Sequence, residues 1–455
     1  MAGLPPEVRD PLHGAIPVSR EELAVLDHRL FQRLRSIRQL GFSDLSFPGA
    51  THNRYLHSIG AMHLAGRAFD SIFADPDAPP LSDARRAQLR RLVRMAALLH
   101  DVGHAPFSHT TEFAMPAVGE LAVPAYAADR RRWNPARQAT HEDYTIKIVT
   151  DSSLTASVEA SCEAPAAAVA GLIDPHLAVD PAEYDAGGVD CRPLLQQLIS
   201  SELDVDRMDY LARDSLFAGV HYGVFDTGWL MNHLSAHVVG DQAFLALQDR
   251  AIYAFDDFLI ARYHMFLMVY FHYRSVAYEE MLKRYFQAGA DGWRIPSDVE
   301  DYARCDDHDF VGTLRASSNP WARRIVERRE YKMLLERHGA PDEIDLSRML
   351  VRLADGGVPT IAAGSTGVLS KYFHRRLQSD AAAQATLPLG VPDDSPSAPI
   401  YVLERPFRGA AGVRARTLEE STALFDRYAG QLLLSRIYVP AEDVERAGRL
   451  VADVA

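Results

Sequence analysis

Four polar side chains, far apart in the chain, have the types that metal-assisted phosphate chemistry requires. They are His57, the adjacent pair His100 and Asp101, and Asp206. Neutral imidazoles combined with carboxylates suit one hard or borderline divalent cation that holds water beside a phosphate. A His-Asp pair occurs by chance in many chains of this length, so the surrounding sequence has to carry the interpretation.

The sequence around these residues resembles a known family. The chain reads ATHNRYLHSIG at 50–60, HDVGHAPFSH at 100–109 and DVDRMDY at 204–210. These strings resemble the HD-domain phosphohydrolases. Within that group they are similar to the deoxynucleoside triphosphate (dNTP) triphosphohydrolases related to the human sterile-alpha-motif and HD-domain enzyme and its shorter bacterial relatives. The likeness begins at Arg9 and continues to about Ala277.

The resemblance implies that His57, His100, Asp101 and Asp206 hold one divalent metal ion, which contacts the α-phosphate and a water or hydroxide. With these protein ligands alone, positions around the cation remain open for water and phosphate. Mg²⁺, Mn²⁺, Fe²⁺ and Zn²⁺ are not distinguished by this set. Nitrogen donors make Mg²⁺ a less natural permanent occupant, although the related enzymes are commonly treated as Mg²⁺-dependent.

Further histidines match active-site positions of the family, at His104, His109 and His141. Histidine is the side chain whose ordinary pKa best suits proton transfer near neutral pH. We expect His104 to act as general acid or base, oriented by Glu142 or Asp101, and the other two to contact phosphate oxygens. The alternative interpretation is that one or more of them cap turns in the core.

The resemblance also assigns residues to the substrate. Arg54 stands three residues before His57, close enough on one helical face to reach the same phosphate, and its planar fork suits bidentate contact. Arg207 takes the place of a phosphate-binding lysine, and Tyr210 would exclude a 2′-hydroxyl by packing against C2′. Phe271 replaces a base-contacting glutamine, which leaves the base preference open. The remaining residues assigned to the sugar, the γ-phosphate and the base are Gln39, Leu40, Asp214, Arg262 and Tyr270.

A second nucleotide site is also implied. In the family, residues matching Asp27, Gln32 and Arg35 recognise a guanine nucleotide at a subunit interface, and activation accompanies assembly into a tetramer. The resemblance therefore predicts a guanine nucleotide activator and a homo-oligomer, either a dimer or a tetramer. The alternative is that Gln32 and Arg35 only bond to each other within the helical layer.

Helical periodicity prevails over alternation along the chain, which predicts a mainly α protein. Between Arg85 and His100, apolar residues recur at steps of three and four, and His100 falls on the same inward stripe. Asp101 then ends the helix, and Gly103 and Pro106 turn the chain, so the His-Asp pair projects into a pocket. Helices are predicted also at 20–40, as one or two pieces, at 54–73 and at 253–286.

The pattern changes after residue 290, where polar helices alternate with short candidate strands. We therefore expect an HD-domain helical core at 1–290, with a loop or lid insertion at 117–140, and a smaller α+β lobe at 291–455 with a regulatory or oligomerisation role. At 455 residues the chain is long enough for both.

Composition narrows the class of partner. A net charge of -13 disfavours a surface built mainly for nucleic acid. An arginine run at 85–94 is interpreted as a solvated helix face rather than a phosphate site. Neither a signal peptide nor a membrane helix is predicted, and the 3 cysteines lack CxxC spacing. These features favour a cytoplasmic enzyme without a membrane partner.

The function predicted from the sequence is hydrolysis of dNTPs to deoxynucleoside and inorganic tripolyphosphate. The same metal ligands also serve nucleotide phosphodiesterases and nucleoside monophosphate phosphatases, which stay open as alternatives. The third alternative, a non-catalytic nucleotide sensor, is less favoured because all four ligand positions are kept.

Overall fold

The computed structural model describes residues 6–126, 134–339, 345–367, 398–404, 413–424 and 432–452. Helices predominate among them, which confirms the predicted mainly α fold. The helices are α1 (Arg20–Leu26), α2 (Arg29–Gln32), α3 (Arg54–Ile72), α4 (Asp83–Leu99), α5 (Val118–Leu121), α6 (His141–Thr150), α7 (Thr155–Cys162), α8 (Ala166–Ile173), α9 (Arg192–Ile199), α10 (Val205–Ala218), α11 (Thr227–Asn232), α12 (Ile252–Met265), α13 (Tyr273–Gln287), α14 (Val299–Tyr302), α15 (Asp307–Ala316), α16 (Pro320–Val326), α17 (Ser347–Asp355) and α18 (Val444–Val451).

Short strands complete the described fold. They are β1 (Glu7–Asp10), β2 (Gly14–Pro17), β3 (Leu234–Val239), β4 (Gln242–Gln248), β5 (Lys332–Gly339), β6 (Ile361–Gly367), β7 (Tyr401–Glu404), β8 (Arg414–Thr417) and β9 (Leu432–Val439). Strands β1 and β2 form an antiparallel pair, and β5 and β6 flank β9 in an antiparallel sheet. In the sheet β3-β4-β7-β8, the contact between β4 and β7 is parallel.

Helices α3 and α4 lie in the main apolar core. The side chain of Asn53 caps α3 by accepting a hydrogen bond from the Leu56 amide, and Ser82 caps α4 in the same way through Arg85. The predicted inward stripe of α4, which includes Leu89 and Leu99, is fully buried. The helices predicted at 54–73 and 85–100 are therefore confirmed, and His100 follows α4 at its inner end.

The helix predicted across 253–286 is interrupted. Helix α12 ends at Met265, a π-helical turn spans Phe266–Tyr270, and α13 begins at Tyr273 after His272 caps it. Such π turns shift the direction of side chains and are common at functional sites. Here the turn directs the Tyr270 hydroxyl towards Asp214, to which it donates a hydrogen bond of 2.8 Å.

The segment predicted as helix at 20–40 and the predicted insertion at 117–140 both contain short helices and irregular parts. Residues 20–40 form α1, α2 and a 3-10 turn, and then an extended segment in which Arg38 bridges Asn53. Within the predicted insertion at 117–140, the described part contains α5, a 3-10 turn at Pro124–Tyr126 and a bridge from Ala117 to Gln138. The remainder of that insertion, 127–133, lies outside the described residues.

Strands and apolar side chains from both sides of residue 290 meet. Strand β7 extends the sheet begun by β3 and β4, and Ile400 and Val402 join the main core. A second apolar cluster combines Phe42 and Phe107 with α13, α15 and Tyr438 of β9. No helix in the described ranges is both long and apolar enough to cross a membrane.

Candidate active site

Three separate elements bring the predicted metal ligands together. His57 comes from α3, His100 and Asp101 follow α4, and Asp206 is the second residue of α10. The Oδ1 atom of Asp206 lies 2.9 Å from His57 Nε2 and 3.4 Å from His100 Nε2. Asp101 Oδ1 lies 3.4 Å from His100 Nε2, and Asp101 Oδ2 lies 3.6 Å from His57 Nε2. Two imidazole nitrogens and two carboxylates therefore face one point.

These atoms fit a divalent cation. The Nε2 atoms of His57 and His100 are buried and make no hydrogen bond of acceptable geometry among the described residues. Buried polar atoms are normally paired, so the orientation of these two nitrogens towards shared carboxylates fits a cation as their partner. Mixed nitrogen and oxygen donors suit Mn²⁺, Fe²⁺ or Zn²⁺ and accept Mg²⁺. The donor set and its burial thus agree with a group able to bind a divalent metal ion.

Groups behind the ligands hold both imidazoles in place. His57 Nδ1 donates to Asp209 Oδ2 at 2.9 Å, and His100 Nδ1 donates to the Ala97 carbonyl at 2.8 Å. Hydrogen bonds of this kind fix the ring and leave Nε2 for the metal. Burial lowers the pKa of His57, but the neighbouring carboxylates of Asp206 and Asp209 outweigh burial and raise that pKa to about 10. A cation at Nε2 would take the place of that proton.

Asp209 has further partners that sequence reasoning missed. Its carboxylate accepts from His13 Nε2 at 2.6 Å and from Arg213 at 2.8 and 2.9 Å. Arg213 is fully buried and also bonds to Asp10 at 2.8 Å. A sequence signal existed, because Asp209 follows Asp206 by three residues and shares its helix face. The hairpin of β1 and β2 therefore supports the metal site through His13 and Asp10.

Arg54 lies beside the ligand cluster, as predicted for a phosphate-binding residue. Its Nη1 atom donates to Asp101 Oδ2 at 2.5 Å, and its Nε atom donates to Ser108 Oγ at 2.9 Å. Burial raises the pKa of Asp101, but the charges of Arg54 and His100 outweigh it and hold that pKa well below its usual range. Asp101 is therefore ionised and available to a cation.

The predicted catalytic histidines form a cluster next to Asp101. His104 stacks on His141 with ring centroids 4.0 Å apart, and His109 stands edge-on to both. Glu112 lies behind two of them, with Oε1 2.6 Å from His141 Nδ1 and Oε2 3.2 Å from His109 Nδ1. These contacts leave the Nε2 atoms of His109 and His141 as the ring nitrogens not bonded to Glu112.

The charges in this cluster differ between neighbouring rings. Burial, together with the charges of Arg54 and His141, holds the pKa of His104 well below its usual range. Burial also lowers the pKa of His141, but Glu112 outweighs it and raises that pKa to about 9. At neutral pH His104 is therefore neutral, whereas His141 is a cation. Glu142, the residue expected to orient His104, is exposed on α6.

The residues predicted to contact the sugar are linked to one another and, through Tyr210, to His57. The Tyr210 ring lies 6.4 Å from that of His57 and 6.3 Å from that of Tyr270. Asp214 is buried between Tyr270 and His52, whose Nε2 atom lies 2.7 Å from Asp214 Oδ1. Leu40 is half-buried in the adjoining segment, and the neighbouring Gln39 is buried with an Oε1 atom that has no hydrogen-bond partner among the described residues.

Two more arginines converge on one carboxylate. Arg207 Nη1 lies 3.6 Å from Glu202 Oε2 and bonds to the Ser201 carbonyl, while Arg262 Nη1 lies 4.0 Å from the same Glu202 atom. Both guanidinium groups act on the pKa of Tyr210, which places them near the predicted sugar contact. Arg207 and Arg262 therefore bring positive charge close to Tyr210.

The predicted second nucleotide site lies on the surface at α1 and α2. Asp27 is exposed at the end of α1, and Arg35 stacks over the Tyr55 ring at 3.7 Å. Gln32 donates to the Leu26 carbonyl and accepts from Arg35 Nε at 2.7 Å. The internal bond that the alternative interpretation expected is present, and a nucleotide at this surface would compete with it.

Three arginines of the α4 run pair with carboxylates of other elements in the same chain. Arg90 forms a bidentate pair with Asp70, and Arg94 forms one with Glu22. Arg91 pairs with Glu163 at 2.8 Å. Arg85 and Arg86 of the same run bond to backbone carbonyls, so the contacts of the run agree with a structural role for this helix face.

Comparisons with known proteins agree with this geometry. A family model described as the HD domain matches residues 54–214, and one described as the HD associated region matches residues 225–343. All four candidate metal ligands fall within the first match. The second match includes Arg262, Tyr270 and α15.

Several individual proteins are similar to the chain. An uncharacterized protein of Methanocaldococcus jannaschii is 28% identical over 72% of this chain and 59% of its own length. A deoxynucleoside triphosphate triphosphohydrolase SAMHD1 homolog of Dictyostelium discoideum is 29% identical over 65% of this chain and 51% of its own length. The crystal structure of a hypothetical protein from Aquifex aeolicus matches with a TM-score of 0.69 and 25% identity, covering 98% of this chain and 99% of that one. The chain spans roughly half the length of the curated relatives it matches, between 41% and 59% of the first three.

Proposed function

We propose, from the premise that residues 54–214 form an HD domain, that this chain is a metal-dependent hydrolase of deoxynucleoside triphosphates. The products would be a deoxynucleoside and inorganic tripolyphosphate. The observation that carries the proposal is the convergence of His57, His100, Asp101 and Asp206 at one point, with Tyr210 beside them. Similarity to a deoxynucleoside triphosphate triphosphohydrolase of Dictyostelium discoideum supports the same substrate class.

In this reaction a water oxygen bonds to the α-phosphorus, the bond to the deoxyribose 5′-oxygen breaks, and that oxygen takes up a proton. When bound by the four ligands, a divalent cation would supply positive charge to the phosphate and lower the pKa of water. The residues of the chain bind the phosphates, orient the nucleoside and move the protons.

Positive charge for the phosphates would come from residues beside Asp101 and from residues near Tyr210. Arg54 lies within hydrogen-bond distance of Asp101, so its guanidinium is held where an α-phosphate beside the cation would lie. His141 carries a positive charge at neutral pH and is held by Glu112. Arg207 and Arg262, near Tyr210, would serve the outer phosphates. Fixed charges of this kind stabilise a developing negative charge without reorganising.

His104 is the group best placed to move a proton. Its Nε2 atom lies 3.2 Å from Asp101 Oδ1, and its ring packs against the charged ring of His141. A neutral imidazole accepts a proton from water and can return it to a leaving oxygen. His109, whose Nδ1 atom faces Glu112, would contact a phosphate oxygen through its other nitrogen.

The sugar would lie against Tyr210, with Gln39 and Asp214 facing its 3′-hydroxyl and Leu40 beneath it. Tyr270 fixes Asp214 by donating a hydrogen bond to Oδ2, and His52 holds the other oxygen. An aromatic ring packed on C2′ leaves no space for a 2′-hydroxyl, so ribonucleotides would be disfavoured. Such discrimination by a fixed pocket wall is typical of nucleotide enzymes.

Product chromatography after incubation with each dNTP and Mn²⁺ or Mg²⁺ tests the proposal. We expect free deoxynucleoside and tripolyphosphate, and we expect Asp206→Ala to lower turnover by at least 100-fold. Asp206 is preferable to His57 for this purpose, because its side chain is 33% exposed whereas His57 is fully buried between two carboxylates. Asp241→Ala, in the exposed turn between β3 and β4, is the matched control and should leave turnover unchanged.

The same assay separates the alternatives. Monophosphate or diphosphate products would replace the proposal by a phosphodiesterase or phosphatase activity, and the absence of any product would favour a nucleotide sensor.

Adding guanosine triphosphate to the assay with deoxyadenosine triphosphate tests the second site at Asp27, Gln32 and Arg35. We expect a higher rate together with a larger mass by light scattering, from a homo-oligomer. If the rate and the mass both stay unchanged, the prediction of a guanine nucleotide activator is wrong.

A further inference from the structure

Asp307 is a buried carboxylate outside the HD domain match that touches two segments of the candidate site. It is the first residue of α15 and is 5% exposed. Its Oδ1 atom accepts a hydrogen bond of 2.7 Å from the Phe107 amide, and its Oδ2 atom accepts one of 3.1 Å from the Arg38 amide. Each oxygen therefore holds the backbone of a different segment.

The first of these segments has a strained backbone. Phe107 and Ser108 both have left-handed conformations, with φ of 58° and 56°. Residues other than glycine adopt this region at an energetic cost, so contacts around them must compensate. The bond from the Phe107 amide to Asp307 is one such contact. His109, assigned above to a phosphate oxygen, follows Ser108 in the chain.

The second segment leads directly to Gln39. The Arg38 amide bonds to Asp307, and the Gln39 amide bonds to the His52 carbonyl at 3.1 Å. Ser108 Oγ joins the two segments by donating to the Arg38 carbonyl at 2.7 Å, and it accepts from Arg54 Nε. A continuous set of hydrogen bonds thus runs from α15 through both segments to Arg54.

We propose that Asp307 is a positioning residue that clamps the segment before Gln39 to the turn before His109. The clamp keeps a fixed distance between the groups that face the sugar and those that face the phosphates. This inference rests on the proposed function for the roles of Gln39 and His109. The region that follows the HD domain therefore helps to shape the nucleotide site, although its helix α15 contributes no group that touches the metal ligands among the described residues.

The charge of Asp307 supports this role. Burial raises the pKa of Asp307 to about 6, against the opposing effect of the Phe107 and Arg38 amides. The charged groups that face it are Arg38, whose Nε atom lies 3.9 Å away, and Asp306, while Asp44 binds the far end of Arg38. Below about pH 6 the carboxyl gains a proton and can no longer accept from both amides.

Asp307→Asn tests the clamp, because an amide keeps one acceptor and presents a donor to the other backbone N–H. Asp306→Asn is the matched control, since asparagine still caps the amides of His308 and Asp309 that Asp306 holds. We expect hydrogen exchange in peptides containing Arg38 and Phe107 to become at least 10-fold faster in Asp307→Asn only. We also expect kcat/KM for dNTPs to fall about 10- to 100-fold.

The pH dependence distinguishes positioning from a general loss of structure. The ratio of wild-type to Asp307→Asn activity should be largest above pH 6 and approach one below it, because the wild-type carboxyl is then neutral too. Unchanged exchange at both segments would overturn the proposal, as would a ratio that is independent of pH. If Asp307→Asn does not fold, Asp307→Ser enters the same measurements. Were the wild-type protein inactive on dNTPs, the proposed function would fail, while the exchange experiment would still decide whether the clamp exists.

Discussion

The charge on His141 depends on Glu112, the carboxylate that binds it from behind. Oε1 of Glu112 bonds to both the ring and the backbone amide of His141, at 2.6 and 3.0 Å. The attraction raises the pKa of His141 to about 9 in spite of burial. The resulting cation stabilises the fold below the ordinary histidine pKa, and this contribution is lost as the pH rises towards 9.

Glu112→Gln should therefore change the pH dependence of the reaction. Gln keeps the hydrogen-bonding shape but removes the charge, so burial would dominate and the pKa of His141 would fall below its usual value. If the reaction depends on charged His141, we expect the activity of the wild type to fall as the pH rises through about 9. In the variant the same fall should occur as the pH rises through a value below about 6.5. The measurement is kcat/KM against pH, supported by nuclear magnetic resonance titration of the His141 ring.

Glu142→Gln is the control for this prediction. Glu142 is adjacent to His141 in sequence and also raises its pKa, but its side chain is exposed and its effect ranks after that of Glu112. We expect a smaller shift of the alkaline limb in this variant. Equal shifts in the two variants would show that the direct bond to Glu112 does not hold the charge.

These two glutamates illustrate what the sequence could predict at the residue scale. Glu142 was one of the two residues expected to orient His104, but its side chain is exposed on α6, whereas Asp101 Oδ1 lies 3.2 Å from His104 Nε2. Glu112 follows His109 by three residues within the 3-10 helix Ser108–Ala114, where residues three apart eclipse. The bond to His109 was readable from that spacing, whereas the bond to His141 required the tertiary fold.

At the scale of elements, the crossing of α3 and α10 sets the position of His57. Gly60 lies one turn after His57 on α3, where α10 approaches closely. A Cβ atom at residue 60 would lie 2.0 Å from Asp209 Oδ1 and 2.3 Å from Arg213 Nη2. Both partner side chains are fully buried and bonded to each other. Little space exists for them to move without releasing His57.

Gly60→Ala should consequently weaken both stability and metal binding. Overpacking of this kind costs about 1–3 kcal/mol, and displacement of Asp209 should lower metal affinity about 10- to 100-fold. Chemical denaturation without metal and Mn²⁺ titration measure the two effects. Gly312→Ala is the control, because Gly312 lies within α15 with open space around it. That change should stabilise the protein by about 0.5–1 kcal/mol, and a similar gain at Gly60 would refute the packing argument.

Much of the element layout followed from the sequence. The stripe from Leu89 to Leu99 predicted α4 and the inward direction of His100, because apolar spacing directly reports which face of a helix is buried. The break between α12 and α13 did not follow, since residues 266–272 are as apolar as the helices beside them. Tyr270 and Asp214 meet across that break, and the sequence alone held no local signal for a π turn.

At the scale of the whole molecule, the regions before and after residue 290 share their cores. The parallel register of β4 and β7 pairs Leu247 with Val402, residues that are far apart in sequence. Local periodicity in the sequence cannot predict a pairing between strands so far apart. The division of the chain into a core at 1–290 and a lobe at 291–455 stays a prediction. Because the two regions share this sheet and the cluster of Phe42, Phe107 and Tyr438, the unfolding of one region should be coupled to that of the other.

We expect the two regions to unfold together. Exchange protection in α3, which carries His57, and in β9, which belongs to the later region, should be lost at the same denaturant concentration. Mn²⁺ at 100 times its dissociation constant should stabilise both by about 2.7 kcal/mol, because a ligand of the native state stabilises everything that unfolds with its site. Asp206→Ala should abolish that shift in both segments. If β9 lost protection first and did not respond to Mn²⁺, the contacts across residue 290 would be too weak to couple the later region to the metal site. The clamp by Asp307 would then have to act through a segment that opens independently.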